Sequence, residues 1–196
     1  MKKLNKHLIP KICVFIGGAM LTLGILVLIC WQGYIHSWIQ KSEKYVENLH
    51  ALMPEPEGTV PEERRDNTMP ALSVDKMDFI GILEMPQYGS TLPICADWGH
   101  VIQCPCKFSG SIYDGTLQIG ATSQKGQFDF YREISVGDTV LFTDVEGNRY
   151  TYTVTNLQYE KHADQTALNR KEASLTLFIK NVYDFEYLII SCDVLN

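Results

Sequence analysis

Residues 139–154 read TVLFTDVEGNRYTYTV. Thr139-Val140-Leu141-Phe142-Thr143 and Arg149-Tyr150-Thr151-Tyr152-Thr153-Val154 alternate apolar and polar side chains on either side of Asp144-Val145-Glu146-Gly147-Asn148. Alternation at period two offers one face to a core and the other to solvent, and a Gly-containing turn between two such runs marks a β-hairpin. Asp144 and Glu146 are candidate calcium ligands on paper, but turn chemistry already asks for acidic residues there. Working outwards, short β-like runs recur at Phe79–Leu83, Leu92–Ile94, Thr116–Ile119, Ser174–Ile179 and Tyr187–Ser191, several of them beside Gly or Pro turns. The expectation is a mainly β fold of about seven or eight strands with short helical pieces, closed or partly closed into a barrel.

Upstream the pattern changes. Ile12 to Trp31 contains no charged residue, and twenty apolar residues rise about 30 Å as a helix, the thickness of a bilayer's hydrocarbon core. Lys2, Lys3, Lys6 and Lys11 precede it and Trp31, Tyr34 and Trp38 sit at its far end, which predicts a single-pass anchor with a cytoplasmic N-terminus. The run is too long for the core of a cleavable signal, and Ile29 before Cys30 does not suit a lipoprotein signal. The expected division is a basic cytoplasmic tail (1–11), an anchor (12–32), a juxtamembrane helix followed by a Pro/Glu-rich linker (33–74), and an extracytoplasmic domain (75–196). Pro54, Pro56, Pro61 and Pro70 mark the linker, and its run Glu62-Glu63-Arg64-Arg65-Asp66 reads as solvated.

All 23 acidic residues follow the apolar run but only 13 of the 17 basic ones do, so that part carries a net charge of −10. Nucleic acid is excluded as a leading partner, because phosphate binding needs a basic surface. Six cysteines divide by compartment: Cys13 and Cys30 in the anchor, and Cys95, Cys104, Cys106 and Cys192 in the domain, where disulfides can form. A bridge between Cys106 and Cys192 is one pairing among several that spacing leaves open. Cys104 and Cys106 form a C-x-C that supplies two ligands at most, and His100 alone does not complete a site, so neither metal nor cofactor is expected. Trp98 reads as packing or as the wall of a peptide groove.

Phe79-Ile80-Gly81-Ile82-Leu83-Glu84-Met85-Pro86 followed by Leu92-Pro93-Ile94 resembles the opening of Gram-positive sortase domains, Y-I-G-x-L-x-I-P and then L-P-V. Pro105 to Ser111 resembles the segment before the sortase histidine. Val136-Gly137-Asp138-Thr139-Val140-Leu141-Phe142 resembles the L-x-x-G-D-x-V-x-F element after it, and Leu175-Thr176-Leu177-Phe178 the start of the nucleophile strand T-L-x-T-C. The resemblance spans about 79–193. It implies a sortase β-barrel behind a membrane anchor at the cell surface, and cysteine transpeptidation of sorting signals as the family chemistry.

At the site the pattern breaks. Laying the family motifs on the chain puts Thr122 where the acid/base histidine belongs, Lys180 where the nucleophilic cysteine belongs, and Tyr187 where the oxyanion-stabilising arginine belongs. A protonated amine is not a nucleophile, a threonine cannot exchange protons near neutral pH as imidazole does, and tyrosine brings no positive charge. No catalytic residue is therefore expected. The first reading is an inactive sortase-like protein with a binding or accessory role towards a sorting-signal peptide, a pilin or another surface protein. The second is an enzyme with rewired chemistry, using a Thr122 hydroxyl with Lys180 as base. The third moves the nucleophile to Cys95, Cys104, Cys106 or Cys192, with His100 or His162 as base. A last one is a surface domain that has lost ligand binding altogether.

Overall fold

The hairpin read from residues 139–154 forms as a pair of strands in the computed structural model, which describes residues 8–55, 67–161, 173–184 and 186–195. Strand β6 (Thr139–Asp144) pairs antiparallel with β7 (Arg149–Glu160) in the register Thr139↔Thr153 to Thr143↔Arg149. The turn is held by Asp144, fully buried, whose carboxylate accepts from the Glu146 and Asn148 N–H groups (3.0 and 2.9 Å), from Asn148 Nδ2 (2.9 Å) and from Tyr113 Oη (3.2 Å). These donors account for the acidic residue at this place: Asp144 serves the turn.

The other strands are β1 (Leu72–Val74), β2 (Met77–Met85), β3 (Ser90–Cys95), β4 (Cys106–Ser109), β5 (Leu117–Thr122), β8 (Leu175–Lys180) and β9 (Tyr187–Val194). Their order is β1-β2-β3-β4-β5-β8-β9-β7-β6, and β6 pairs back onto β2, so β2–β9 close into an eight-stranded barrel. β3–β4 and β5–β8 are the parallel pairs. Closure brings β2 and β6 very close at Gly81, where a Cβ would lie 2.2 Å from the Thr143 carbonyl oxygen; only glycine fits there. β1 lies outside the ring on the same edge of β2 that β6 takes further along.

Alternation fills the barrel. Leu117, Ile119 and Ala121 of β5, Leu175, Leu177 and Ile179 of β8, and Leu188, Ile190 and Cys192 of β9 all join one buried core with Phe142 and Tyr152. The opposite face of these three strands carries Gln118, Gly120, Thr122, Thr176, Phe178, Lys180, Tyr187, Ile189 and Ser191.

A helix, α1, runs from Leu8 to Leu52. The chain divides into two units, Met1–Trp38 and Ile39–Asn196. The first holds the uncharged run, in a helix long and apolar enough to cross a membrane. In the second, the last turns of α1 pack on the barrel: Leu49 is fully buried and the Tyr45 ring lies 5.0 Å from that of Phe79. The sequence reading placed 33–74 before the domain and opened the domain near Asp75. The folded unit takes in residues from Ile39 and its first strand begins at Leu72, because the apolar stripe Tyr45, Val46, Leu49 finds a covering role over β2. Pro56, Pro61, Glu62 to Asp66 and His162 lie outside the described residues.

Candidate functional site

Strands β5, β8 and β9 are neighbours, and their register aligns Thr122 with Lys180 and Lys180 with Tyr187. All three side chains sit on the outer face, in one row about 10 Å long across three strands. The Lys180 ammonium stands 6.0 Å from the centroid of the Tyr187 ring, a cation–π distance. Thr122 is 6% exposed, and its Oγ1 has no hydrogen-bond partner among the described residues. An unsatisfied buried hydroxyl of this kind costs about 1–3 kcal/mol.

Backbone and side-chain bonds lock the row. The Ser123 N–H donates to the Lys180 carbonyl (3.0 Å), the Ser123 hydroxyl donates to Asn181 Oδ1 (3.3 Å), and the Val182 N–H donates back to the Ser123 oxygen (3.2 Å). Gln127, buried, accepts the Thr122 N–H at Oε1 (2.9 Å) while its Nε2 donates to the carbonyls of Val101 and Ile102 (3.2 and 3.1 Å). One amide thereby clasps the loop between β3 and β4 to the end of β5. Gln127 carried no signal in the sequence, since a lone glutamine has no motif.

Trp98 of the same loop builds an aromatic surface with Phe108 of β4 and Phe178 of β8 beside the row. Trp98, Phe108 and Phe178 meet with centroids 5.1–5.7 Å apart, and Trp98 and Phe108 remain 39% and 41% exposed. A Cβ on Gly120 would fall 2.4 Å from Trp98 and 2.5 Å from Phe178, so the absence of a side chain is what lets the indole settle on the strand.

The cysteines sort differently from the sequence expectation. All six are free thiols. Cys192 is buried in the barrel core, where burial pushes its thiol up, whereas Cys106 belongs to the outer cluster under α1 with Cys95 and Cys104. The three sulfurs of that cluster lie within 4.8 Å of one another. The C-x-C thus gains a third thiol from β3, which linear spacing did not reveal. His100, at the end of a 3-10 turn in the loop, directs Nδ1 at Gln103 Oε1 (2.9 Å) and holds Nε2 3.8 Å from Asp97 Oδ2.

The barrel has known counterparts. Sortase A from Corynebacterium diphtheriae superposes with a TM-score of 0.53 at 15% identity, covering 83% of this chain and 84% of that one. Sortase A from Listeria monocytogenes gives 0.51 at 15% over 60% and 88%, and a Clostridium perfringens sortase D5 transpeptidase gives 0.52 at 13% over 61% and 80%. The chain has the sortase fold. No family model matches its sequence, and no curated protein matches it. Within the sortase fold, the strand segments that resembled the family motifs occupy β2–β3, β4, β6 and β8, and the three motif-aligned positions, Thr122, Lys180 and Tyr187, share one row.

Proposed function

We propose that this protein is an anchored sortase-fold protein without transpeptidase activity, serving as a binding or accessory component in the sorting of surface proteins or pilus subunits. The observation that carries this reading is the row Thr122–Lys180–Tyr187: three adjacent positions, assigned to the family site by motif alignment, that together lack thiolate, imidazole and guanidinium. Acyl transfer through a covalent intermediate needs a nucleophile, a proton carrier and an oxyanion donor set, and here none of the three roles has a suitable side chain. Relocated cysteine chemistry is disfavoured because Cys95, Cys104, Cys106 and Cys192 are at most 3% exposed. The exposed Trp98–Phe108 surface next to the row supports retained peptide binding. In this reading the apolar helix anchors the protein in the cell membrane with its N-terminus in the cytoplasm and the barrel outside.

The test uses the full chain in detergent micelles with a fluorogenic sorting-signal peptide and an amine acceptor. Neither cleavage nor transfer is expected, thiol alkylation changes nothing, and peptide binding weakens in Trp98→Ala. One observation favours a second reading: the unpartnered Thr122 hydroxyl is buried on the strand beside Lys180. Peptide turnover abolished by Lys180→Met and by Thr122→Val would establish that Thr/Lys chemistry instead.

A further inference from the structure

Three thiols meet on the outside of the barrel, one strand over from the Thr122 end of the row, where Cys106 of β4 pairs with Gly120 of β5. Cys95 ends β3, Cys106 begins β4, and the two are Cα partners in the parallel pair. The Cys95 N–H donates to the Pro105 carbonyl (2.9 Å), and the Cys104 N–H to that of His100 (3.1 Å), so backbone bonds hold the loop that brings Cys104 to them. The sulfurs lie within 4.8 Å of one another, and the residues are 0%, 3% and 0% exposed for Cys95, Cys104 and Cys106.

We propose that Cys95, Cys104 and Cys106 bind one zinc ion, with His100 of the same loop as the fourth ligand. Tetrahedral zinc holds its sulfurs about 3.8 Å apart, given Zn–S bonds of about 2.3 Å, so the existing cluster needs only a small contraction. Binding forms three Zn–S bonds as three thiols release three protons; His100, whose ring nitrogens face Gln103 and Asp97 outside the 4.8 Å thiol cluster, has to leave one of these partners and move towards the sulfurs to give its lone pair. The other ring nitrogen keeps an acceptor from one of those two residues, the usual way a ligating imidazole is oriented. Zinc with three thiolates and a neutral imidazole leaves a net −1. A three-thiolate copper(I) site would leave −2 in the same apolar setting of Leu49, Phe79 and Ile82, which disfavours it. Zinc would pin the loop whose Val101 and Ile102 carbonyls are clasped by Gln127, making the site a structural staple for the loop that Gln127 ties to Thr122.

The test purifies the full chain in detergent under reducing conditions, titrates it with zinc alone and counts metal by elemental mass spectrometry. One zinc per chain is expected, lost in Cys95→Ser, Cys104→Ser and Cys106→Ser but kept in Cys30→Ser. Cobalt(II) in place of zinc should give the visible bands of a tetrahedral three-sulfur, one-nitrogen site, shifted in His100→Ala. The wild-type measurements stand even if a cysteine variant fails to fold. No retained zinc, or an intact mass two hydrogens light after purification without reductant and with zinc present, which marks a disulfide in the cluster, would overturn the proposal. Unshifted cobalt bands in His100→Ala would remove His100 from it.

Discussion

In the proposed reading, Lys180 is the residue at which the site is decided. A thiol restored there alone meets Thr122 on one side and Tyr187 on the other, neither of which can take its proton or hold an oxyanion. Lys180→Cys is therefore expected to give no turnover of a sorting-signal peptide, whereas Thr122→His, Lys180→Cys and Tyr187→Arg together should give slow, alkylation-sensitive cleavage; equal rates in the single and triple variants would contradict this. That these three residues stand side by side agrees with the motif alignment, because strand motifs carry register with them. Cys95 was not associated with Cys104 and Cys106, since a parallel β3–β4 pairing is a tertiary fact with no local signature. Tyr88 offers a pH readout at the same scale: burial and its hydrogen bond to Asp138 (2.5 Å) push its hydroxyl up to about 12 from 10. The unfolded chain loses that proton first, so stability falls as pH rises from about 10 through 12, and Tyr88→Phe should flatten this slope in alkaline denaturation curves.

Among the elements, β1 and the end of α1 are the pieces that sequence reading left outside the domain. β1 is three residues long, and its turn into β2 uses Asp75 and Lys76 at φ 48° and 70°, a tight hairpin geometry that usually announces itself with Asn-Gly. Without glycine, no turn signal was visible. β4 was missed for a similar reason, as Cys106-Lys107-Phe108-Ser109 is too short to show alternation. The stripe on α1 was visible as a helix, but periodicity does not name what a helix covers. Leu49→Ala is expected to cost about 2–5 kcal/mol in denaturant unfolding of the fragment beginning at Ile39. A fragment beginning at Asp75, lacking both Leu49 and β1, should unfold at lower denaturant still; equal midpoints for the two fragments would show that the helix end contributes nothing.

At the scale of the whole molecule, barrel closure through β2 and β6 leaves the chain's chemistry on the outer face of β5, β8 and β9, while charge asymmetry sets the proposed topology. Four lysines precede the apolar run and a net −10 follows it. Protease added to intact, wall-stripped cells is expected to remove the barrel while sparing an N-terminal tag; complete protection of the barrel would reverse the orientation. The barrel itself was legible from alternation, because its strands are amphipathic and most turns carry glycine or proline. Which strands close it was not, since the β2–β6 contact joins residues about 60 apart through one glycine that reads as unremarkable in sequence.

The clasp made by Gln127 also turns Thr122 into a clock. Its amide hydrogen is held by a side chain rather than by the strand ladder, so it can swap with deuterium whenever that side chain lets go. The interval between swaps measures how often the Gln127 clasp opens, with no ligand required. Gln127→Ala should bring that interval down towards the value for an open loop while amides of the inner strands keep their protection; unchanged protection at Thr122 would mean the loop is held from elsewhere.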